Sequence, residues 1–254
     1  MKIYNGFGIT PSKNYEAAGY DFYVPNIDDS DSNQVNNFMN ALSKSYGDLN
    51  YKELLQNIFA WSRVSAGINS ENALKNQYNI LHLYLAINHT NRLPDINDFC
   101  NKYIIFDSTG KVGVKLNVHD TLFINSGIRE AIPTGYAGIF FNKSGRGLKG
   151  FDVRACVVDE DYTGYVHLSQ QYTNSNISDG VFFVGDKIVQ QCIIPVLNEQ
   201  INSVTEDEYM KDMENSNRGD KGFGSSDEVH IAESELTVTA PETKKTTRKT
   251  KQAK

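Results

Sequence analysis

Residues Val157-Val158-Asp159-Glu160-Asp161-Tyr162-Thr163-Gly164 join two β-branched apolar residues to three carboxylates, an aromatic ring and a turn glycine. The pattern reads as a strand running into an acidic turn. In an extended chain successive side chains point to opposite faces, so Asp159 and Asp161 share one side and Glu160 takes the other. A carboxylate held there can act as general base on a water molecule. An acidic hairpin turn would use the same residues. Short apolar runs lie on both sides: Thr121–Ile124, Gly138–Phe141, Val153–Val158, Tyr165–Leu168, Val181–Val184 and Ile188–Leu197. Gly, Asn, Asp and Pro punctuate them, which predicts an antiparallel sandwich or barrel from about residue 111 onward.

Upstream the rhythm changes. Residues 27–110 are rich in Asn, Asp, Leu and Tyr. Tyr51, Leu54, Leu55, Ile58 and Phe59 recur at the spacing of one helix face, and Leu74, Tyr78, Leu81, Leu85 and Asn88 continue it in a second helix. Ser70-Glu71-Asn72 reads as the N-terminal cap of that second helix, with Pro94 beyond its end. A weaker helix is expected over Val35–Lys44. An 84-residue segment far exceeds the roughly 12–15 residues of a structureless loop, so it should carry its own structure.

Composition excludes several classes. With 39% hydrophobic residues in 254, the chain can form a packed core. No run reaches the roughly 18–20 apolar residues of a membrane span, and Met1–Gly6 shows no secretory h-region. A net charge of −6 argues against a generic grip on nucleic-acid phosphates. Neither a membrane nor a specific nucleic acid is expected as partner. Cys100, Cys156 and Cys192 are odd in number and scattered, which fits a reducing compartment and forms no metal knuckle. His82 and His89 could share a helix face, but two ligands do not make a zinc site. The last residues, 228–254, are Thr/Lys/Glu-rich and expected to be disordered.

Five stretches carry chemistry. In Arg218-Gly219-Asp220-Lys221-Gly222-Phe223-Gly224-Ser225-Ser226, glycines offer backbone N–H groups to an anion, Arg218 a forked cation, the serines hydroxyls and Phe223 a stacking face. Asn142-Lys143-Ser144-Gly145 runs into Arg146-Gly147, and Lys143–Gly147 reads as an anion-gripping turn or as a surface loop with two cations. Asp21, in Ala17-Ala18-Gly19-Tyr20-Asp21-Phe22, is a hard-cation ligand or simply a strand-end Asp. The other two are 157–164 and Gly185-Asp186-Lys187-Ile188-Val189-Gln190.

Taken in this order, the five stretches resemble the five motifs of the homotrimeric dUTP pyrophosphatase (dUTPase) family, over roughly residues 15–26 and 111–227. The resemblance is highly specific in VID-x-DY-x-G, GD-[RK]-I-x-Q and RG-x-x-GFGS. It implies a mainly β, jelly-roll-like barrel from residues 1–26 and 111–197, with 27–110 a helical insertion and 198–227 a mobile tail that closes the site. It implies a homotrimer with three shared sites, in which Mg2+ assists hydrolysis of dUTP to dUMP and pyrophosphate. Asp159 then matches the water-activating carboxylate, and Tyr162 the ring beneath the deoxyribose. A hairpin around Ala155 and Cys156 matches the uracil-reading segment. Lys143, Ser144, Gly145 and Gln190 match phosphate contacts, Asp21 a residue linked to Mg2+ through water, and Arg218, Phe223, Gly224, Ser225 and Ser226 the closing tail. The implied location is the cytoplasm, a host's if the enzyme is viral or phage-encoded.

The chain departs from the family pattern in places. Lys143 stands where arginine is usual and loses the bidentate fork, for which Arg146 could compensate. Arg154 and Cys156 replace common glycines. Lys187 replaces arginine, and Asp227 a final glycine. Two alternatives remain: a dCTP deaminase-like enzyme, which would lack the RG-x-x-GFGS tail, and a nucleotide-dependent switch whose 27–110 segment binds a protein partner.

Overall fold

The computed structural model describes residues 1–47, 49–88, 93–175, 180–197, 199 and 201–216. The chain divides into two compact units, Met1–Glu199 and Gln200–Lys254.

In the first unit β1 (Lys2–Asn5) and β2 (Tyr20–Tyr23) precede five helices: α1 (Ser32–Tyr46), α2 (Tyr51–Val64), α3 (Ser70–Leu74), α4 (Gln77–Ile87) and α5 (Ile96–Tyr103). Local chemistry starts them. The Asp31 carboxylate accepts from Asn33 N and Gln34 N, Asn50 Oδ1 from Glu53 N, and Asp95 from Asn97 N and Asp98 N. The single helix expected from residue 74 to 88 is broken at Lys75–Asn76, and Ser70 opens the short α3 instead. Asn76 gives α4 no side-chain cap, so Asp29 reaches in from the preceding loop and accepts from Gln77 N at 2.9 Å. Burial there pushes the Asp29 carboxyl up to about 6, despite backbone N–H donors at Gln77 and Tyr78.

α4 is buried on every side from Asn79 to Ala86, the mark of a helix at the centre of a core rather than on its surface. Asn79 ties it to the chain before α1, accepting from Ile27 N and donating to Ile27 O. α4 packs against α2 and α5. The face of α2 is the expected one at Tyr51, Leu54, Leu55 and Ile58, and departs from it at Phe59. Ile58, Trp61 and Ser62 are buried, Trp61 donating to Asn101 Oδ1 at 2.8 Å, and Phe59 is turned outward.

The strands continue with β3 (Ile104–Phe106), β4 (Val112–Leu116), β5 (Thr121–Asn125), β6 (Ile128–Ala131), β7 (Tyr136–Asn142), β8 (Phe151–Val153), β9 (Val157–Val158), β10 (His167–Tyr172), β11 (Gly180–Phe183) and β12 (Lys187–Pro195). They pair antiparallel in four small sheets, ordered β1-β6, β5-β10-β8, β11-β4-β3 and β2-β12-β7-β9. The first unit is mainly β where the first four motifs lie. Features unread in the sequence include α5, β3, β4 and β6, the five-residue α6 (Ser144–Leu148), and the division of the Val153–Val158 run. β8 pairs with β10 and β9 with β7, so Arg154–Cys156 crosses between two sheets.

Helices and strands share one core. α4 lies on β5 and β4, and Phe7 meets Phe38 of α1 edge-on at 5.3 Å. Leu122, Ile124, Ile80 and Leu83 are fully buried, each contributing roughly 1.5–3 kcal/mol. In the second unit α7 (Glu206–Asp212) opens on a reciprocal cap: Thr205 Oγ1 accepts from Glu208 N, and the Glu208 carboxylate from Thr205 N. No helix among the described residues is long and apolar enough to cross a membrane.

Candidate active site

β9 delivers Asp159 to the wall of a cavity of about 190 Å³, shared with Ala155, Tyr162, Phe123 and His167. The alternation expected through Asp161 ends at Val158. Tyr162 N donates to Asp159 O at 3.2 Å and closes a turn, leaving Asp159 exposed. Glu160 is withdrawn from the row, its carboxylate accepting from Gly135 N. The Tyr162 hydroxyl donates to Tyr165 O at 2.8 Å, which fixes the ring at the cavity edge. The segment at Ala155 and Cys156 is a crossover rather than the expected hairpin. Phe140 N takes up the Cys156 carbonyl at 2.7 Å.

A second cavity, about 410 Å³, is lined by Lys143, Ser144, Gly145, Arg146, Lys149 and Gln190, with Asn142 at its edge. The sheet aligns its groups. Gln190 on β12 stands opposite Asp21 on β2 and Phe141 on β7, and Gln190 Nε2 donates to Asn142 O at 3.1 Å. Asp21 sits between two ammonium groups. Its Oδ1 accepts from Lys143 Nζ, and Lys187 Nζ lies 2.9 Å from its Oδ2. Burial raises the Asp21 pKa, but hydrogen bonds and charge from Lys143 and Lys187 outweigh it, leaving the carboxyl below its ordinary value of 3.8.

Arg146 lines this cavity too, but its guanidinium is bonded to groups other than Asp21. Its Nη2 is 2.7 Å from Asp186 Oδ2 and its Nη1 donates to Val181 O at 3.0 Å. Its guanidinium also lies over the rings of Phe151 and Phe182, at 5.4 and 6.0 Å. Asp186 belongs to the turn between β11 and β12, where Gly185 adopts a φ of 79° that a side chain would resist. Arg146 thus clips α6 to the turn that launches Gln190.

The first cavity meets β7 at Phe140 and the second at Asn142, while Asp159 and Lys143 themselves stand further apart. Val158 pairs with Gly138. Lys143 lies five residues further along, which at about 3.4 Å per residue is about 17 Å. Arg218, Phe223, Gly224, Ser225 and Ser226 lie outside the described residues, as do His89 and residues 228–254.

Among the described residues, no three His, Cys, Asp or Glu side chains gather into a metal-holding group. Both oxygens of Asp21 already face ammonium groups. Such a donor set does not cage a cation. A Mg2+ carried on phosphate oxygens would keep its waters and could meet Asp21 only through one of them. Phe123 and His167 were missed as cavity residues. The signal was present, an aromatic in each of two strand-like runs, but only the pairing of β5 with β10 brings them together.

The sequence model of the dUTPase family matches residues 95–227. The chain is 31% identical over 137 residues to the deoxyuridine 5'-triphosphate nucleotidohydrolase of Haemophilus ducreyi, covering 48% of this chain and 84% of that protein. It is 32% identical over 102 residues to the Gag-Pro polyprotein of Sheep pulmonary adenomatosis virus, covering 40% of this chain. The match spans only 10% of that polyprotein's length. Among solved structures, the Staphylococcus bacteriophage 80alpha dUTPase with dUPNHPP superposes with a TM-score of 0.46 at 14% identity, over 88% of this chain and 96% of that one.

Proposed function

The chain belongs to the dUTPase family, and on that premise we propose that it hydrolyses dUTP to dUMP and pyrophosphate. The observation that carries the reading is the placement of Asp159 and Tyr162 on one small cavity beside Ala155. A ring bound there would set its sugar against Tyr162 and its α-phosphate near the Asp159 carboxylate.

In this reading Asp159 orients a water molecule and takes its proton as the water oxygen bonds to the α-phosphorus. The bond from that phosphorus to the bridging oxygen breaks, and pyrophosphate leaves with the electron pair. Lys143, Ser144 and Gln190 hold the phosphate chain, and Tyr162 leaves no room for a 2′-hydroxyl. Mg2+, when bound with the triphosphate, supplies charge neutralisation at the phosphate oxygens. Arg218, Phe223, Gly224, Ser225 and Ser226 close over the nucleotide and exclude bulk water.

A nucleophile must sit within roughly 3–3.5 Å of the atom it attacks. The separation along β7 therefore supports a homotrimer, in which the Asp159 cavity of one copy faces the Lys143–Gln190 cavity of another. Pyrophosphate release with dUTP, dCTP, dTTP and UTP in parallel tests the reading. Turnover of dUTP far above the other three is expected. Equal turnover of UTP and dUTP would overturn the role of Tyr162, and no turnover of dUTP would overturn the activity.

A further inference from the structure

β6 turns an acid into the core. Its residues alternate, with Ile128 and Glu130 inward and Arg129 and Ala131 outward. Glu130 is 6% exposed, and Gln191 on β12 is fully buried. Gln191 Nε2 donates to Glu130 Oε1 at 2.5 Å. Room for that amide comes from Gly138 on β7, where a Cβ would stand 2.4 Å from Gln191 Nε2. The contact joins two sheets, β1-β6 and β2-β12-β7-β9, that share no ladder bond among the described residues.

One bond leaves the pair half made. Glu130 Oε2 and Gln191 Oε1 are both buried, and neither has a hydrogen-bond partner. Buried polar atoms are costly to leave so. An ionised carboxylate only accepts, as does an amide oxygen, so these two atoms cannot serve each other. A protonated carboxyl has one donor, and that proton satisfies both oxygens at once. Burial pushes the Glu130 pKa above its ordinary 4.5, against the Gln191 bond, which favours the charged form. None of the charged or titratable groups around it bonds its carboxyl: Lys2 and Tyr4 from β1, Arg129 from β6, and Glu160, Asp161 and Tyr162 from the turn after β9. On β12, Gln190 and Cys192 point to the face opposite Gln191.

We propose that the Glu130 carboxyl carries a proton in the native protein and donates it through Oε2 to Gln191 Oε1, closing a reciprocal acid–amide ring that ties β6 to β12 and opens when the proton leaves. The tie does not depend on the hydrolytic reading. β6 nonetheless also holds the Asp159 turn, Arg129 Nε donating to Thr163 O at 2.6 Å. The unfolded chain releases this proton near 4.5 and the native chain at higher pH. The contribution of the tie is therefore complete below 4.5 and is lost as pH rises through the native value.

Glu130→Gln keeps both bonds, its own amide donating to Gln191 Oε1, and has no proton to lose. Urea unfolding of the two proteins is compared at each pH, so that the other titrating groups cancel. Above pH 4.5 the wild type should fall behind, by about ten-fold in folding constant per pH unit until the native proton leaves, and the gap should be level beyond. In wild type labelled with ¹³C at glutamate Cδ, the Glu130 resonance, identified by its absence from Glu130→Gln, should titrate above 4.5. Should Glu130→Gln not fold, Glu130→Leu combined with Gln191→Leu replaces both partners by apolar groups and serves as the pH-flat reference and the blank for assignment. A Glu130 resonance titrating at or below 4.5, or a gap between wild type and reference that does not change with pH, overturns the proposal.

Discussion

The Asp21 carboxylate is bonded by the Lys143 ammonium although 122 positions separate them in sequence, and Lys187 holds its other oxygen. Without Asp21, two ammonium groups would repel each other across the β2-β12-β7 sheet. Asp21→Asn should destabilise the protein by about 1–2 kcal/mol at pH 7, between the worth of surface and buried pairs. The native carboxyl has a lowered pKa, so its contribution is complete above the unfolded value of 3.8 and is lost as pH falls through the native one. Urea unfolding of both proteins should show the gap at pH 7 and its closure below pH 3.8.

Asp159→Asn preserves shape and removes the base. Turnover should drop by at least about 10²-fold, the lower end of what a general base supplies, with dUMP affinity within about two-fold of wild type, a change of under 0.5 kcal/mol. Single-turnover kinetics beside calorimetry separates the two. A variant keeping a tenth of wild-type turnover would strip Asp159 of the role.

Arg146→Ala frees α6, the proposed phosphate-holding segment, from the Asp186 turn. KM for the triphosphate should rise about ten-fold, that is about 1.4 kcal/mol of binding, with kcat changed far less. Stability should fall by about 1–3 kcal/mol, the range for charged hydrogen bonds. Arg146→Lys should restore charge but only part of KM, since an ammonium cannot bond Asp186 and Val181 O in the same fork.

His82 is wholly buried between Phe7 and Phe38, and neither ring nitrogen closes a hydrogen bond. Burial, then nearby His167, push its pKa down to about 3, against a weak opposing pull from the Asn125 backbone. The unfolded chain binds the proton more readily, so stability falls as pH drops from 6.5 toward 3. At about 1.36 kcal/mol per unit, the wild type should lose about 2 kcal/mol more than His82→Leu between pH 6.5 and 5. Asp29, raised to about 6, acts in the opposite sense, so the comparison is made at each pH. Parallel curves for the two proteins would refute the buried neutral imidazole.

Excising residues 27–110 would remove α4 from β4 and β5 and uncover apolar side chains now at 0–1% exposure, including Leu122 and Ile124. A Gly/Ser-bridged version should therefore aggregate or bind a hydrophobic dye strongly. Soluble, dye-silent protein with the wild-type sheet signal would show that the strands stand alone.

What could be read beforehand followed periodicity and motif. α2 and most of the expected strands fell where apolar spacing placed them, because a half-buried surface writes itself into spacing. α4 kept only its type. A helix buried on every side has no polar stripe to mark its ends, so the break at Lys75–Asn76 left no trace. The Val153–Val158 run looked like one strand because hydrophobicity records burial and not which sheet a residue joins. Asp159, Tyr162, Lys143 and Gln190 were named from their motifs. The commitment of Arg146 to Asp186 was not, since nothing local links positions 40 apart. Phe123 and His167 needed the β5–β10 register before they could meet.

The length of β7 has a practical corollary. With the proposed base following β9, whose Val158 pairs with Gly138, and the proposed phosphate grip five residues further along from there, about 17 Å at strand spacing, a lone chain would be folded and still inert. Specific activity should then depend on dilution. Below the concentration at which copies separate, turnover per chain would collapse while circular dichroism stayed constant, and adding back chain would restore it. An assay run at nanomolar protein would report the association constant of the assembly under the guise of a rate.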